Sequence, residues 1–213
     1  MTTESMTIHQ ALVELKTLES RISKAIQEGG FVTANKHSNG KINGIPVSEY
    51  CDDVTSRYQK ITDLMKRREA IKCAVVISNA TTTVVVAGKT YTVAEAIEMK
   101  NHGMKGKSAL LAQINTDYLR AKMQADRANG DELERRAEEH VRNMFGNTDV
   151  KGASDEVKRV RDEFIKAQTV ELVDPLDVRK TICELNEEIM DFTTNVDAAL
   201  SVSNALTTIH IEY

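Results

Sequence analysis

Little in this sequence breaks a helix. The 213 residues include two prolines, Pro46 and Pro175, and an interior proline both removes a backbone donor and clashes with the preceding turn. Their scarcity leaves room for long uninterrupted helices. Aromatic residues make up 4% and tryptophan is absent, which points to a core of Leu, Ile, Val, Met and Ala, as in bundles and coiled coils. No apolar run approaches the roughly 20 residues that a membrane span needs, so no membrane partner is expected. Positive charge is not in excess either. The net charge is −4, so no global basic field recruits nucleic acid, and none is expected as a partner. Cys51, Cys73 and Cys183 are odd in number and far apart, which fits reduced thiols rather than a disulfide framework. The polar stretch from Met1 to Gln10 does not read as a secretory leader. The expected location is the cytoplasm.

Signatures of chemistry are sparse as well. His9, His37, His102, His140 and His210 form no metal-ligand spacing with Cys, Asp or Glu. Neither a Gly-x-Ser-x-Gly elbow nor a cysteine-protease signature occurs. These gaps argue against an enzyme and lead to the expectation of no catalytic residue, no metal and no cofactor.

Helical periodicity is what the chain has in quantity. Ile8, Leu12, Leu15, Ile22 and Ile26 recur at steps of four and three, interrupted at Glu19, and predict a helix over 7–28 that ends at Gly29-Gly30. Asn43-Gly44 predicts a small hairpin between Lys41-Ile42 and Ile45-Pro46-Val47. Ser48 stands where an N-cap belongs, and Val54, Tyr58, Ile61, Met65 and Arg68 continue as a helix. Val75-Val76-Ile77, Thr81 to Val86 and Thr90-Tyr91 are β-branched or aromatic, with a turn at Ala87-Gly88-Lys89. Thr92-Val93-Ala94-Glu95 is a capping box. The helix it opens extends to about Arg127, roughly 50 Å if unbroken, with a kink expected at Gly103 and Gly106. A shorter helix over Asp131 to Phe145, a loop from Gly146 to Ala153 and a helix from Ser154 to Gln168 follow. Thr169 to Val173 reads as a strand or an extended link, and Asp174-Pro175 as a helix start. Val178, Ile182, Leu185, Ile189, Phe192, Val196 and Ala199 form the most regular heptad. The tail from Ser201 to Tyr213 is expected to dock back on the body.

The expected fold is mainly α, with long antiparallel coiled-coil or bundle helices and one or two short β-hairpins, in a single domain over 1–213. Helices this long in a chain of this size leave stripes that one copy does not bury, so a homo-oligomer is expected.

Two places carry candidate binding chemistry. Gly103-Met104-Lys105-Gly106-Lys107-Ser108 has part of a P-loop, but Asn101 stands where the first glycine belongs and residues 93–100 read as helix rather than strand. A helix restart at Ser108, with Lys105 and Lys107, would still make an anion site. The plainer account is a solvated basic patch. The second place joins Arg67, Arg68 and Lys72 to Asn79, Thr81, Thr82 and Thr83. Cationic side chains beside many short donors and acceptors suit a phosphate or nucleotide. The plainer account is that bases near a helix C-terminus offset its dipole and that threonines suit a hairpin.

The order of these motifs resembles the septicolysin-like family, small helical proteins of bacteria and their phages. The resemblance rests on the helix Ile8-His9-Gln10-Ala11-Leu12-Val13-Glu14-Leu15-Lys16, the Ser78-Asn79 step, the Thr-rich strand and Gly turn, and Thr90-Tyr91-Thr92-Val93-Ala94-Glu95-Ala96-Ile97. It continues in Val170-Glu171-Leu172-Val173-Asp174-Pro175 and in Ser203-Asn204-Ala205-Leu206-Thr207-Thr208. Residues 31–47 and 128–155 stand out as expansions, which implies a longer, phage-type member. The resemblance supplies no catalytic residue. Together these readings lead to the expectation of a non-enzymatic, homo-oligomeric phage-type protein that binds a small anionic ligand, for example sequestering a nucleotide immune signal in the host cytoplasm as counter-defence. The alternatives are a virion structural or assembly protein using coiled-coil surfaces and an unrecognised enzyme.

Overall fold

The computed structural model of the chain describes residues 2–146 and 155–213. The fold is mainly α, with three two-stranded antiparallel sheets among the described residues. Contacts divide the chain into two compact units, Met1–Asn101 with Asp191–Tyr213 and His102–Met190, each described by itself below.

The first unit begins with strand β1 (Thr3–Thr7) and helix α1 (Ile8–Gln27). Thr7 caps α1 in a capping box: its side chain accepts from the Gln10 amide, and its own amide donates to the Gln10 side chain. Two donors that the first turn would otherwise leave unpaired are thereby satisfied. Strands β2 (Lys41–Ile42) and β3 (Ile45–Pro46) form the small hairpin around Asn43-Gly44, as expected. Helix α2 (Val47–Thr81) follows without a side-chain cap. Pro46, with φ −57° and ψ 144°, feeds the chain directly into the helix, and Ser48 lies inside the first turn rather than capping it.

At 35 residues α2 is longer than its sequence suggests. Val75-Val76-Ile77, whose propensity favours β, lie at about its eighth turn. Ile71 and Val75, one turn apart, are buried against Met6, Ile8, Ala11, Leu18, Ile22, Ile209 and Ile211. Packing a helical stripe into that cluster outweighs a β-propensity that spans only about 1 kcal/mol. The C-terminal end of α1 lies against the N-terminal part of α2, where Arg57 and Tyr50 donate to the carbonyls of Gly29 and Gly30. Glu14, nearer the start of α1, meets Arg67. The two helices are therefore antiparallel.

Strands β4 (Thr83–Val86) and β5 (Lys89–Thr92) form a hairpin whose two turn residues, Ala87 and Gly88, have φ of 49° and 74°. Positive φ at both central positions matches the twist of paired strands. Val84 and Val86 are buried and Val85 is exposed, the period-2 alternation of a strand. Thr92 and Glu95 close the expected capping box on helix α3 (Val93–Glu98). The last strand, β6 (Thr208–Glu212), pairs with β1, so the expected docking of the tail takes the form of a sheet with the N-terminus.

A π-helical turn over Met99–Gly103 follows α3, and helix α4 (Met104–Ala128) continues from it. The irregularity expected at the glycines is this wider turn. The second unit also contains helices α5 (Asp131–Phe145) and α6 (Asp155–Gln168), which bury Val141 against Val157 and stack His140 on Phe164 at 4.5 Å. The loop expected at 146–153 and the start at Ser154 lie, apart from Gly146, outside the described residues. Thr169 to Val173 is the extended link rather than a strand, tied down by Asn129, whose side chain both donates to and accepts from the Val170 backbone. The helix start placed at Asp174-Pro175 falls later, at α7 (Val178–Leu206). The Asp174 carboxylate accepts from the amides of Leu176 and Val178, making a turn that leads into the helix.

No helix among the described residues is long and apolar enough to cross a membrane.

Candidate functional site

The basic run on α2 is divided by its own helix. Consecutive residues point about 100° apart around a helix, so Arg67 and Arg68 face different neighbours. Arg67 faces inward. Its guanidinium donates to Glu14, to Glu4 at 2.8 Å and to the Tyr213 hydroxyl, and its carbon lies 4.8 Å from the centroid of the Tyr213 ring. The Glu14 carboxylate, then that of Glu4, pushes the Arg67 proton affinity further above an already high value. In return, the hydrogen bond from Arg67 holds the Glu4 carboxyl below its ordinary range. Arg67 thus joins β1, α1 and Tyr213 to α2 through the donors on its Nε and Nη1.

Arg68 and Lys72, one turn apart, stand on the rim of an open groove between α1 and α2. The groove has a volume of about 710 Å³ and is lined by Ile22, Ile26, Met65 and Cys73, with Ser23, Gln27, Glu19 and Glu69 alongside. Arg68 reaches Glu19 at 3.8 Å, with both side chains well exposed. An exposed pair of this length contributes about 0–1 kcal/mol, so a competing anion would displace Glu19 at little cost.

Asn79 and the threonines lie elsewhere. Arg68 and Asn79 are eleven residues apart, about 16 Å along the helix axis. Asn79 is half-buried. The Thr81 hydroxyl donates to the Ile77 carbonyl of its own helix, and the Thr82 hydroxyl meets that of Ser78 at 3.3 Å. Thr82 and Thr83 line a second groove, of about 580 Å³, between β4 and the C-terminal part of α7, together with Val84, Val85, Asn195, Ala198, Ala199, Val202, Ser203, Leu206 and Thr207. Among the described residues, none of those lining it is charged.

In the second unit, the condition for an anion site at Ser108 is not met. Gly103 has φ −59° and ψ −48°, the backbone stays helical through Met104, and the Ser108 hydroxyl donates to the Met104 carbonyl. The amides that a restarting helix would leave free are therefore engaged inside it. Lys107 is paired with Glu188, and Lys105 is exposed.

The groove residues of α1 and α7 carry no binding motif in the sequence. Ile22 and Ile26 read as a heptad seam, and the partner that turns the seam into a groove, Met65, lies on another helix. The Ser203–Thr208 segment was visible only as part of a family pattern. Among the described residues, no group of three or more His, Cys, Asp or Glu is arranged to hold a metal ion.

Comparison of the chain with family models, with curated proteins and with solved structures finds no match.

Proposed function

We propose that the protein is a non-enzymatic, homo-oligomeric binding protein whose ligand is a small organic anion, of which a nucleotide is the best-fitting class. The observation that carries this is the pairing of Arg68 and Lys72 on the rim of the apolar groove between α1 and α2. Its volume falls within the few hundred to about 1,000 Å³ typical of small-molecule sites. Ile22, Ile26 and Met65 suit the faces of a base, Ser23 and Gln27 its polar edge, and the two cations a phosphate. Of the residues expected to bind, Arg68 and Lys72 keep that role in this reading. The resemblance to phage-type septicolysin-like proteins is what suggests sequestration of a nucleotide signal as the biological task.

A thermal-shift series with mono-, di- and cyclic nucleotides tests the reading. A ligand at a hundredfold excess over its Kd stabilises the folded state by about 2.7 kcal/mol, so the melting midpoint must rise for at least one of them. The rise must vanish in an Arg68→Ala, Lys72→Ala double variant. No rise for any nucleotide at millimolar concentration would remove the proposal.

A second reading, an assembly protein that works through its surfaces, is supported by the exposure of Leu119 and Met123 on α4 and of Val202 and Leu206 on α7. Particle-associated rather than free protein in infected cells would favour it.

A further inference from the structure

We propose that the free edge of β4 is a pairing surface for a second copy of this chain, joined β4 to β4 around a two-fold axis into one four-stranded sheet. This rests on the homo-oligomeric part of the function proposed above and names the contact that makes the oligomer.

The argument begins at the turn. A two-residue loop with positive φ at Ala87 and Gly88 is closed by a hydrogen-bonded pair, here Val86 with Lys89. Hydrogen-bonded and non-hydrogen-bonded pairs alternate along an antiparallel ladder. Val84 with Tyr91 is therefore hydrogen-bonded, and the amide of Val93 reaching the carbonyl of Thr82 at 2.9 Å continues the series. It follows that the amides and carbonyls of Thr83 and Val85 point away from β5. They point to the side on which β4 has no partner strand among the described residues.

That edge is complementary to itself. With the two-fold axis at Val84, Thr83 of one copy lies opposite Val85 of the other, and the outward donors and acceptors of both residues meet in four hydrogen bonds. Val84 then faces Val84 as the intervening non-hydrogen-bonded pair. No formal charge opposes the approach, because Thr83–Val86 carries none, and the partial charges along the two edges match. Natural edges that stay single are guarded by shortness, by a covering helix or loop, or by lysine, proline or a bulge; β4 is short and bordered by α7 across an open groove, but carries no lysine, proline or bulge.

Helix α7 supplies the rest of the surface. A four-residue strand is about 13 Å long and buries little alone. Phe192, whose ring meets that of Tyr91 on β5 edge-on at 5.8 Å, and Val196 are buried, whereas Val202 and Leu206 further along the helix remain 59% and 77% exposed. The groove between β4 and this stretch of α7 is lined by Thr82 to Val85 in succession, so it is bordered by the edge of the strand rather than by one face. A second β4 extends the sheet across it and brings the second copy's Val84 onto Val202 and Leu206.

Sedimentation of the full chain, with three variants, tests the proposal. Val85→Pro removes an outward-pointing amide donor and leaves the ladder to β5 intact, and Val85→Lys places a charge at a position that is 63% exposed. Each is expected to raise the dissociation constant of the oligomer at least tenfold while circular dichroism stays unchanged. Val84→Cys, in a background with Cys51, Cys73 and Cys183 replaced by Ser, is expected to cross-link two copies under mild oxidation. If Val85→Pro does not fold, Val85→Lys and the cross-link decide. An oligomer that survives both Val85 variants and does not cross-link through Val84→Cys overturns the β4 contact and leaves the homo-oligomeric reading standing. A wild-type chain that is monomeric at about 100 μM overturns both.

Discussion

The sheets β1–β6 and β4–β5 each have two short antiparallel strands, yet they are finished differently. The first joins the two ends of the chain and carries Glu4, His210 and Glu212 among its residues. Met6, Ile209 and Ile211 sit in the main cluster with α1 and α2, and Arg67 binds Glu4 and Tyr213 across it. The second joins neighbours in sequence, buries Val84 and Val86, and has an edge without charge. The difference separates structural from available polar groups. Around β1–β6, Glu4 and Glu14 are spent on Arg67, whereas along β4 the backbone of Thr83 and Val85 points away from the partner strand. Within unit one, the open polar groups at β4 and the weakly paired Arg68 beside Lys72 are where the proposed binding is to be sought.

The largest expected effect tests how much of the terminal sheet's stability comes from its apolar side. Ile71 is fully buried in the cluster that supports β1 and β6. Ile71→Ala is expected to lose about 2–5 kcal/mol, the transfer term plus that of the cavity left behind. Denaturant unfolding followed by circular dichroism measures it. A loss below about 1 kcal/mol would mean that the cluster does not hold this sheet.

The next effect belongs to the polar side. Arg67→Ala leaves Glu14 and Glu4 without this cation and removes the contact to Tyr213. The Arg67 side chain is only 18% exposed, so more of the interaction survives solvent screening than in a surface pair. The expected loss is about 1–3 kcal/mol, drawn from the cost of leaving a charged hydrogen-bonding group unpaired. Arg68→Ala, one residue away, is expected to change stability by less than about 0.5 kcal/mol. Equal losses in the two variants would contradict the division of the basic run into an inward and an outward residue.

Those residues also mark where sequence reading stopped. Helix α1, helix α5, the hairpin β4–β5 and the Thr92 capping box are encoded locally, in periodicity, turn residues and a four-residue motif, and were legible. The β1–β6 sheet was not, because Thr3–Thr7 is too polar to read as a strand until Ile209 and Ile211, some two hundred residues later, lie beside Met6. The length of α2 is not legible locally for a related reason: Val75 is helical because of what it packs against, which no local propensity contains. For the candidate site, residue types were legible and partners were not. Arg67, Arg68 and Lys72 read as one cluster, and only the position of Glu14 on α1 reveals that Arg67 is already taken.

The smallest expected effect compares the sheets through pH. Each has one nearby carboxyl held below the ordinary value of 4.5, Glu4 by the hydrogen bond from Arg67 and Glu95 by the backbone amide and then the side chain of Thr92. A depressed carboxyl binds fewer protons in the folded chain than in the unfolded one. Its contribution is complete above the unfolded value and is lost as pH falls through the folded value. Melting midpoints are therefore expected to hold from neutral pH down to about 5 and to fall below about 4.5. Glu4→Gln and Glu95→Gln should each lower the midpoint at pH 7 and flatten the acid-side fall, since each removes one group that the acid would otherwise protonate. Because Glu4 reports on the clasp of the two termini and Glu95 on the exit from the hairpin, the variant that flattens the curve more identifies the sheet that acid opens first. Curves that fall in parallel for the wild type and both variants would place the acid sensitivity in neither.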